Sequence, residues 1–303
     1  MWSLNRGNNI DKAPNGEPSI LFNSLLTIFH GDKKKATRAK ALLYTKEFFS
    51  WFGDWTGEYE TDKGEHPYVE HSVAVDSNGE PLVVYHGTNA NDITAFSLKK
   101  AKHNTGIFLS KSKNVARSYV DWLNTGYYGK ITNYVLDNFN IHESYDEYKS
   151  RILDSEKDAD LPFSSLVSEE EFNAKKSAII NFDGHVYNTF VNLRNPLIVD
   201  AKKRKWDSIL FKGVRNTTES LAIYAKKYGY DGVIVADVED NGLKNQNDII
   251  SGYEISDEYI AFNPNQIKSI NNNGSFSSIS NNIYNYIQIG GDDHFYKNAS
   301  ITD

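Results

Sequence analysis

The chain has 303 residues, of which 39% are hydrophobic and 13% aromatic, so it is long enough for one large domain with additions around a sizeable core. The formal net charge of −7 does not suggest a nucleic-acid-binding or membrane surface, and we expect neither a nucleic-acid partner nor a membrane span. The absence of cysteine excludes disulfides, thiolate nucleophiles and cysteine-based metal sites.

Two segments are expected to precede the main domain. Residues 1–31 are predicted to be a flexible lead-in, within which the apolar run 20–29 is too short to span a bilayer and is expected to pack as a helix. Residues 32–66 are predicted to contain one amphipathic helix, whose aromatic residues we expect to dock on the core rather than bind a target. No basic segment followed by an apolar core occurs in the first 16 residues, so no ordinary secretory signal is expected.

The main domain is predicted over residues 67–270. It begins with a hairpin whose second strand ends at the polar step His86-Gly87-Thr88. A short strand at 107–109 then leads into a helical segment, 113–122, that carries Tyr119. This order predicts that an imidazole, an accessible glycine backbone and a hydroxyl lie at one rim of the domain, and that Tyr119 presents a flat ring to a flat heterocycle.

The rest of the chain alternates between β-rich and polar segments. Residues 137–177 are acidic and rich in helix formers, which predicts a helical insertion, either a solvated addition or an element that recognises substrate or covers a cofactor. Residues 271–303 are predicted to be a polar, irregular tail. The other predicted elements are strands at 93–98, 131–136, 185–191, 196–200, 233–236 and 258–262, a helix at 217–228 and a polar loop at 240–251.

Four pieces of the main domain occur in the order found in one enzyme superfamily. They are Tyr85-His86-Gly87-Thr88, Gly106-Ile107-Phe108, Tyr119, and Glu258-Tyr259-Ile260. Together they resemble the nicotinamide-binding core of ADP-ribosyltransferases of the His-Tyr-Glu type, the superfamily of diphtheria toxin and the poly(ADP-ribose) polymerases. The chain is also similar to the transferase modules of bacterial and phage polyvalent proteins, because Trp51-Phe52-Gly53-Asp54-Trp55 lies upstream.

The resemblance implies an α+β fold in which split, mainly antiparallel β-sheets surround an NAD cleft. The N-terminal helical region and the acidic insertion would be additions to that fold. NAD is implied as a substrate, with no metal, and a protein of unknown identity as the acceptor of ADP-ribose. In this reading the protein is cytoplasmic, or is exported or delivered as an effector without a recognisable secretory signal.

The resemblance also assigns catalytic and cofactor-binding roles. Glu258 would stabilise the positive charge that develops on the ribose as nicotinamide leaves, and His86 would bind a ribose hydroxyl. The backbone of Gly87 would hold the nicotinamide amide. Tyr119 would stack on the nicotinamide ring, and Thr88 would add a hydroxyl near the adenosine portion.

Two positions depart from the family pattern. Phe108 stands where the family usually has a tyrosine, so it would stack on the other side of the nicotinamide without a phenolic hydrogen bond. Ala116 stands where the polymerases have a serine that bonds the nicotinamide amide. Ser110 or Ser118 would have to replace that serine.

The implied activity is mono-ADP-ribosylation of a protein by NAD with release of nicotinamide, in a bacterial toxin or effector or a phage protein. Two alternatives remain open. Water as the acceptor would make the protein a NAD glycohydrolase that uses the same site. The departures at Phe108 and Ala116 are also compatible with an inactive binding module that keeps the ADP-ribosyltransferase fold.

Overall fold

The computed structural model describes ten ranges of the chain, and all structural statements refer to them. These are residues 10–58, 70–88, 90, 92–100, 104–120, 143–157, 166–174, 176, 186–240 and 254–284. Within them no helix is long and apolar enough to cross a membrane. The strand predicted at 131–136 lies outside the described residues.

The N-terminal region forms three helices, α1 (Ile20–Ile28), α2 (Lys33–Leu42) and α3 (Lys46–Phe52). The apolar run therefore forms the expected packed helix. The prediction of one helix after residue 32 is wrong, because the chain breaks before α3 and Thr45 begins that helix by accepting a hydrogen bond from the N–H of Phe48.

Aromatic side chains of α3 dock this region on the main domain. Phe48, Trp51 and Phe52 are buried, and the Phe48 ring meets the edges of Phe190 and Phe276 at centroid distances of 5.8 and 4.9 Å. Edge-to-face pairs of this kind add to the free energy gained from burying the rings. The expected docking on the core is therefore what the structure shows.

A buried ion pair also ties the helices to the main domain. The Lys40 Nζ lies 2.7 Å from Oε1 of Glu80, and both side chains are 0% exposed. The Ser19 hydroxyl contacts both partners, and Lys40 donates a further hydrogen bond to the Lys12 carbonyl. Burial lowers the pKa of Lys40 and the Glu80 carboxylate opposes that effect. The first two helices and the turn before the first strand thus share one buried charge network.

A seven-stranded mixed sheet forms the centre of the main domain. Its seven strands are β1 (Val84–Gly87), β2 (Ile107–Ser110), β3 (Val186–Val191), β4 (Pro196–Asp200), β7 (Gly232–Glu239), β8 (Ile255–Ala261) and β9 (Ile267–Ser269). The two strands between β4 and β7, β5 (Ile209–Phe211) and β6 (Val214–Asn216), form a separate hairpin. The order is β4-β7-β8-β2-β1-β3-β9, with β4 and β7 parallel and the other neighbours antiparallel.

The sheet is nearly divided between β1 and β2. A single registered pair, Tyr85 with Ser110, joins these strands, whereas β2 and β8 share four pairs and β1 and β3 share four. The two halves are therefore β4-β7-β8-β2 and β1-β3-β9. This arrangement confirms the predicted α+β fold with a split sheet.

Besides the helical residues 169–174, three further helices are described, of which the first contacts β1 and β2 and the last contacts β7. They are α4 (Lys113–Arg117), α5 (Tyr145–Lys157) and α6 (Thr218–Lys227), with short 3-10 turns at Leu98–Lys100 and Pro264–Gln266. Helix α6 begins where predicted, because Thr217 and Ser220 form a capping box. The described part of the acidic insertion is helical, as predicted. The strand predicted at 93–98 is wrong, since only Ala95 makes an isolated bridge, to Asn282.

The described part of the C-terminal segment is irregular but closely held. Lys268 of β9 is fully buried, and its Nζ donates hydrogen bonds to the carbonyls of Ser280, at 2.7 Å, and Asn282, at 3.1 Å. The N–H of Ile283 donates to the carbonyl of Thr94. Residues 276–284 therefore pack along the edge of the sheet and against the loop before β2.

Candidate active site

Strand β2 lies between the two residues expected to act on NAD. On one side, Nδ1 of His86 in β1 lies 2.7 Å from the carbonyl oxygen of Phe108. On the other side, Glu258 of β8 is the registered partner of Ser110. Phe108 and Ser110 are about 7 Å apart along a strand. The structure thus places His86 and Glu258 on either side of one short strand, next to the division in the sheet.

The hydrogen bond to β2 fixes the tautomer of His86. Because a carbonyl only accepts, Nδ1 carries the proton and Nε2 of the neutral ring is left as an acceptor. Burial lowers the pKa of His86, with the bond to Phe108 opposing the shift, so the neutral ring is favoured. Nε2 has no hydrogen-bond partner in the described part of the chain. It can therefore accept a hydrogen bond from a hydroxyl of a bound molecule.

Gly87 lies where β1 passes close to helix α4. A Cβ atom at this position would lie 1.7 Å from the carbonyl oxygen of Ala116. Backbone atoms of a helix cannot move aside as the end of a flexible side chain can. Packing alone therefore requires glycine here, and the expected contact of its backbone with nicotinamide stays a prediction.

We expect Gly87→Ala to lower the free energy of unfolding by about 1–3 kcal/mol or more, because the added methyl group must displace the backbone of Ala116. Urea denaturation of the variant and the wild type measures this change. Thr88→Ala is the matched control, since it alters the next residue without adding an atom. A Gly87→Ala variant as stable as the control would show that α4 can move away from β1 at little cost.

Tyr119 lies in the turn after α4, which ends at Arg117 rather than continuing to 122 as predicted. The Tyr119 side chain is 46% exposed, and its hydroxyl donates a hydrogen bond to the carboxylate of Asp240. Partial desolvation and the negative charge of Asp240 raise the pKa of Tyr119, so the phenol stays protonated. An exposed ring face with a fixed hydroxyl is suited to stacking on a flat heterocycle.

Glu258 is a buried carboxyl group that lacks, in the described part of the chain, the hydrogen bonds by which buried carboxyl groups are usually stabilised. The residue is 5% exposed, and neither carboxylate oxygen has a hydrogen-bond partner of good geometry among the described residues. Burial raises the pKa of Glu258 well above its ordinary value, and the neighbouring carboxylate of Asp240 raises it further. Unsatisfied buried polar groups are rare because they cost free energy, and a site that a ligand completes is one explanation for them.

Asp240 lies beside the predicted site residues, although no sequence motif predicted it there. It is the first residue after β7, and its carboxylate interacts with both Tyr119 and Glu258. In the sequence it opens a polar loop, where an aspartate is ordinary. Only the antiparallel pairing of β7 with β8 brings the end of one strand near the carboxylate of the other. Asp240 could have been predicted as a site residue only by first predicting that β7 pairs with β8.

The raised pKa predicts that Glu258→Gln increases thermal stability. The folded state holds a proton on Glu258 that the unfolded chain releases above a pH of about 4.5, so wild-type stability falls as pH rises from there to the raised pKa. Glutamine does not titrate, and the Tm of the variant should exceed that of the wild type by a margin that grows with pH across this window. Thermal unfolding at a series of pH values measures the margin. A margin independent of pH would contradict the raised pKa.

The predicted serine substitutes both use their hydroxyls within the protein. Ser110 is buried, donates to the Ser256 hydroxyl and accepts from the N–H of Ser112. The Ser118 hydroxyl donates to the carbonyl of Val115 at 2.6 Å. Replacement of the missing serine at position 116 by either residue stays a prediction.

Phe108 and Thr88 lie near the division in the sheet. Phe108 is partly buried and packs against the cluster that includes Ile260 and Phe262. The Thr88 hydroxyl accepts a hydrogen bond from the N–H of Ala90. Their contacts with a cofactor stay predictions. Across the ranges described above, no group of three or more His, Asp or Glu side chains is arranged to hold a metal ion.

Comparison with known families adds the deciding observation. The pattern of the family described as "ADP-ribosyltransferase in polyvalent proteins" matches residues 76–181 and 167–276. The chain belongs to this family. The two matches of the polyvalent-protein ADP-ribosyltransferase pattern span β1 to β9, and the junction between them falls at the end of the acidic insertion. No curated protein and no solved structure matches the chain.

Membership of the ADP-ribosyltransferase family confirms the resemblance drawn from the four sequence pieces. Enzymes of this family use NAD as the donor of ADP-ribose. The match covers both His86 and Glu258, together with Asp240, which sequence reasoning missed.

Proposed function

We propose that the protein is an NAD-dependent mono-ADP-ribosyltransferase that modifies a protein and releases nicotinamide. The observation that carries the proposal is the buried Glu258 carboxyl group, which lacks a hydrogen-bond partner in the described ranges and lies beside β2. A role as a toxin or effector of a bacterium or phage is the corresponding biological proposal. Its support is that the matching ADP-ribosyltransferase family is one found in polyvalent proteins.

In this reaction the bond between the nicotinamide nitrogen and the ribose carbon breaks. The transition state resembles an oxocarbenium ion, as in glycoside hydrolysis, so a carboxylate near the ribose stabilises it. The nicotinamide ring of NAD is positively charged, and its arrival would favour the ionised form of Glu258. Glu258 then bonds a ribose hydroxyl and stabilises the developing cation.

The other residues of the site hold NAD in place. Nε2 of His86 accepts a hydrogen bond from a second ribose hydroxyl, which its fixed tautomer permits. The exposed ring of Tyr119 stacks on nicotinamide, with Phe108 on the other side. Holding the reacting groups in this way lowers the barrier by removing the entropy cost of bringing them together.

The test is incubation with NAD labelled on the adenylate phosphate, with and without a protein lysate as a source of acceptors. Nicotinamide release and label on protein are measured together, with Glu258→Gln as the background. Labelled protein that appears with the wild type and not with Glu258→Gln supports transfer of ADP-ribose to protein. Nicotinamide release without labelled protein would replace the proposal by a NAD glycohydrolase. No release under either condition would leave a binding module with an inactive ADP-ribosyltransferase fold.

A further inference from the structure

We infer that Asp240 binds the acceptor and that the acceptor group is the guanidinium of an arginine side chain. The inference rests on the proposed transferase function and names its acceptor class. It starts from the side of Glu258 on which Tyr119 and Asp240 lie. An acceptor must approach the ribose carbon on which Glu258 stabilises the positive charge. The acceptor therefore comes into contact with the groups around Glu258.

Among the described residues, the charge around this position is unbalanced. Asp240 and Glu258 are two neighbouring carboxyl groups, and no lysine or arginine of the described ranges forms an ion pair with either. The positive nicotinamide ring of bound NAD would compensate one negative charge. The other remains, beside a Glu258 side chain that is only 5% exposed. A cationic acceptor supplies the missing charge, whereas a serine or an acidic side chain does not.

The arrangement of the donors and acceptors favours guanidinium over ammonium. The Tyr119 hydroxyl bonds Oδ1 of Asp240 and thereby orients that carboxylate. A guanidinium group is planar and presents five N–H donors, so it can bond two carboxylates at once. An ammonium group is a compact, strongly hydrated charge that loses more hydration on entering the site.

The transfer balances with the groups present. The bond from the ribose carbon to the nicotinamide nitrogen breaks, and nicotinamide leaves as a neutral molecule with the electron pair. A guanidinium nitrogen forms the new bond to the same carbon, and its proton passes to Asp240 and then to water. Asp240 thus orients the acceptor and takes its proton.

The test uses two matched acceptors, Nα-benzoyl-arginine amide and its neutral citrulline counterpart. Both are offered with labelled NAD to the wild-type protein and to Asp240→Asn, and labelled acceptor and free ADP-ribose are measured in the same sample. The wild type should label the arginine compound at least tenfold faster than the citrulline compound. Asp240→Asn should lower the ratio of labelled arginine compound to ADP-ribose by at least tenfold.

Three further variants separate acceptor binding from a general structural role. Asp237→Asn makes the same change at an exposed position of β7 and should leave the ratio unaltered. Asp240→Glu keeps the charge and should restore part of the ratio. Tyr119→Phe keeps the ring but releases Asp240, and it should raise the KM for the arginine compound.

Failure of the inference is distinct from failure of the proposed function. Nicotinamide release with equal labelling of both compounds would overturn arginine as the acceptor while the enzyme activity stood. An unchanged ratio in Asp240→Asn would overturn the assignment of Asp240. No nicotinamide release by the wild type with any acceptor would overturn the proposed function, and the inference with it.

Discussion

Replacing Glu258 with glutamine is expected to lower the rate of nicotinamide release from NAD by about 100-fold or more. Glutamine has nearly the same shape but cannot provide the negative charge that stabilises the oxocarbenium-like transition state. The loss should appear in kcat, because the charge matters more in the transition state than in the bound substrate. Steady-state rates of nicotinamide release, measured over a range of NAD concentrations, separate kcat from KM.

Glu254→Gln is the matched control for this prediction. Glu254 directly precedes β8 and is exposed, so the same chemical change occurs close to the site without entering it. Its rate should stay within about twofold of the wild type, as expected for a surface substitution. A Glu258→Gln variant that retained more than a tenth of the wild-type rate would show that another group stabilises the transition state.

Replacing Lys40 with methionine is expected to lower the free energy of unfolding by about 3–5 kcal/mol. The substitution leaves the Glu80 carboxylate, which is 0% exposed, without the cation that now lies 2.7 Å away. The Ser19 hydroxyl alone cannot compensate a full buried charge. Urea denaturation measures the loss, and far-ultraviolet circular dichroism shows whether the variant is folded at the start.

Two comparisons make this prediction specific. The double variant Lys40→Met with Glu80→Leu removes both charges and should recover most of the lost stability, because an apolar pair of similar volume avoids the buried charge. Lys35→Met breaks the exposed pair with Asp32 and should change stability by less than about 1 kcal/mol. A double variant no more stable than Lys40→Met alone would show that packing, not charge, holds this junction.

Local signals predicted the fold best. Helix α6 was predicted to within a residue at each end, because Thr217 begins it with its own side chain and the apolar residues follow at helical spacing. Strands β3 and β4 were also predicted from composition and a single turn. The break before α3 was missed, since the apolar spacing continues across it and only the Thr45 cap marks the new helix.

The site required contacts that are distant in the sequence. The resemblance indicated His86 and Glu258, because each lies in a short recognisable motif. Asp240 has no such motif, and its position depends on how β7 and β8 pair. The hydrogen bond that sets the tautomer of His86 likewise comes from another strand. Sequence patterns find the residues within motifs, whereas their partners emerge only when the strands are arranged.

The buried side chains of Lys40 and Lys268 have a consequence for how the domain can be divided. The family pattern matches residues 76–276, but Lys40 holds Glu80 from outside that region, and Lys268 holds the carbonyls of Ser280 and Asn282 beyond its other end. A fragment cut at the family limits would leave the buried Glu80 carboxylate without Lys40, and the buried Lys268 ammonium without the carbonyls of Ser280 and Asn282. We therefore expect a stable catalytic fragment to need both flanks, including Lys40 on one side and residues up to Asn282 on the other.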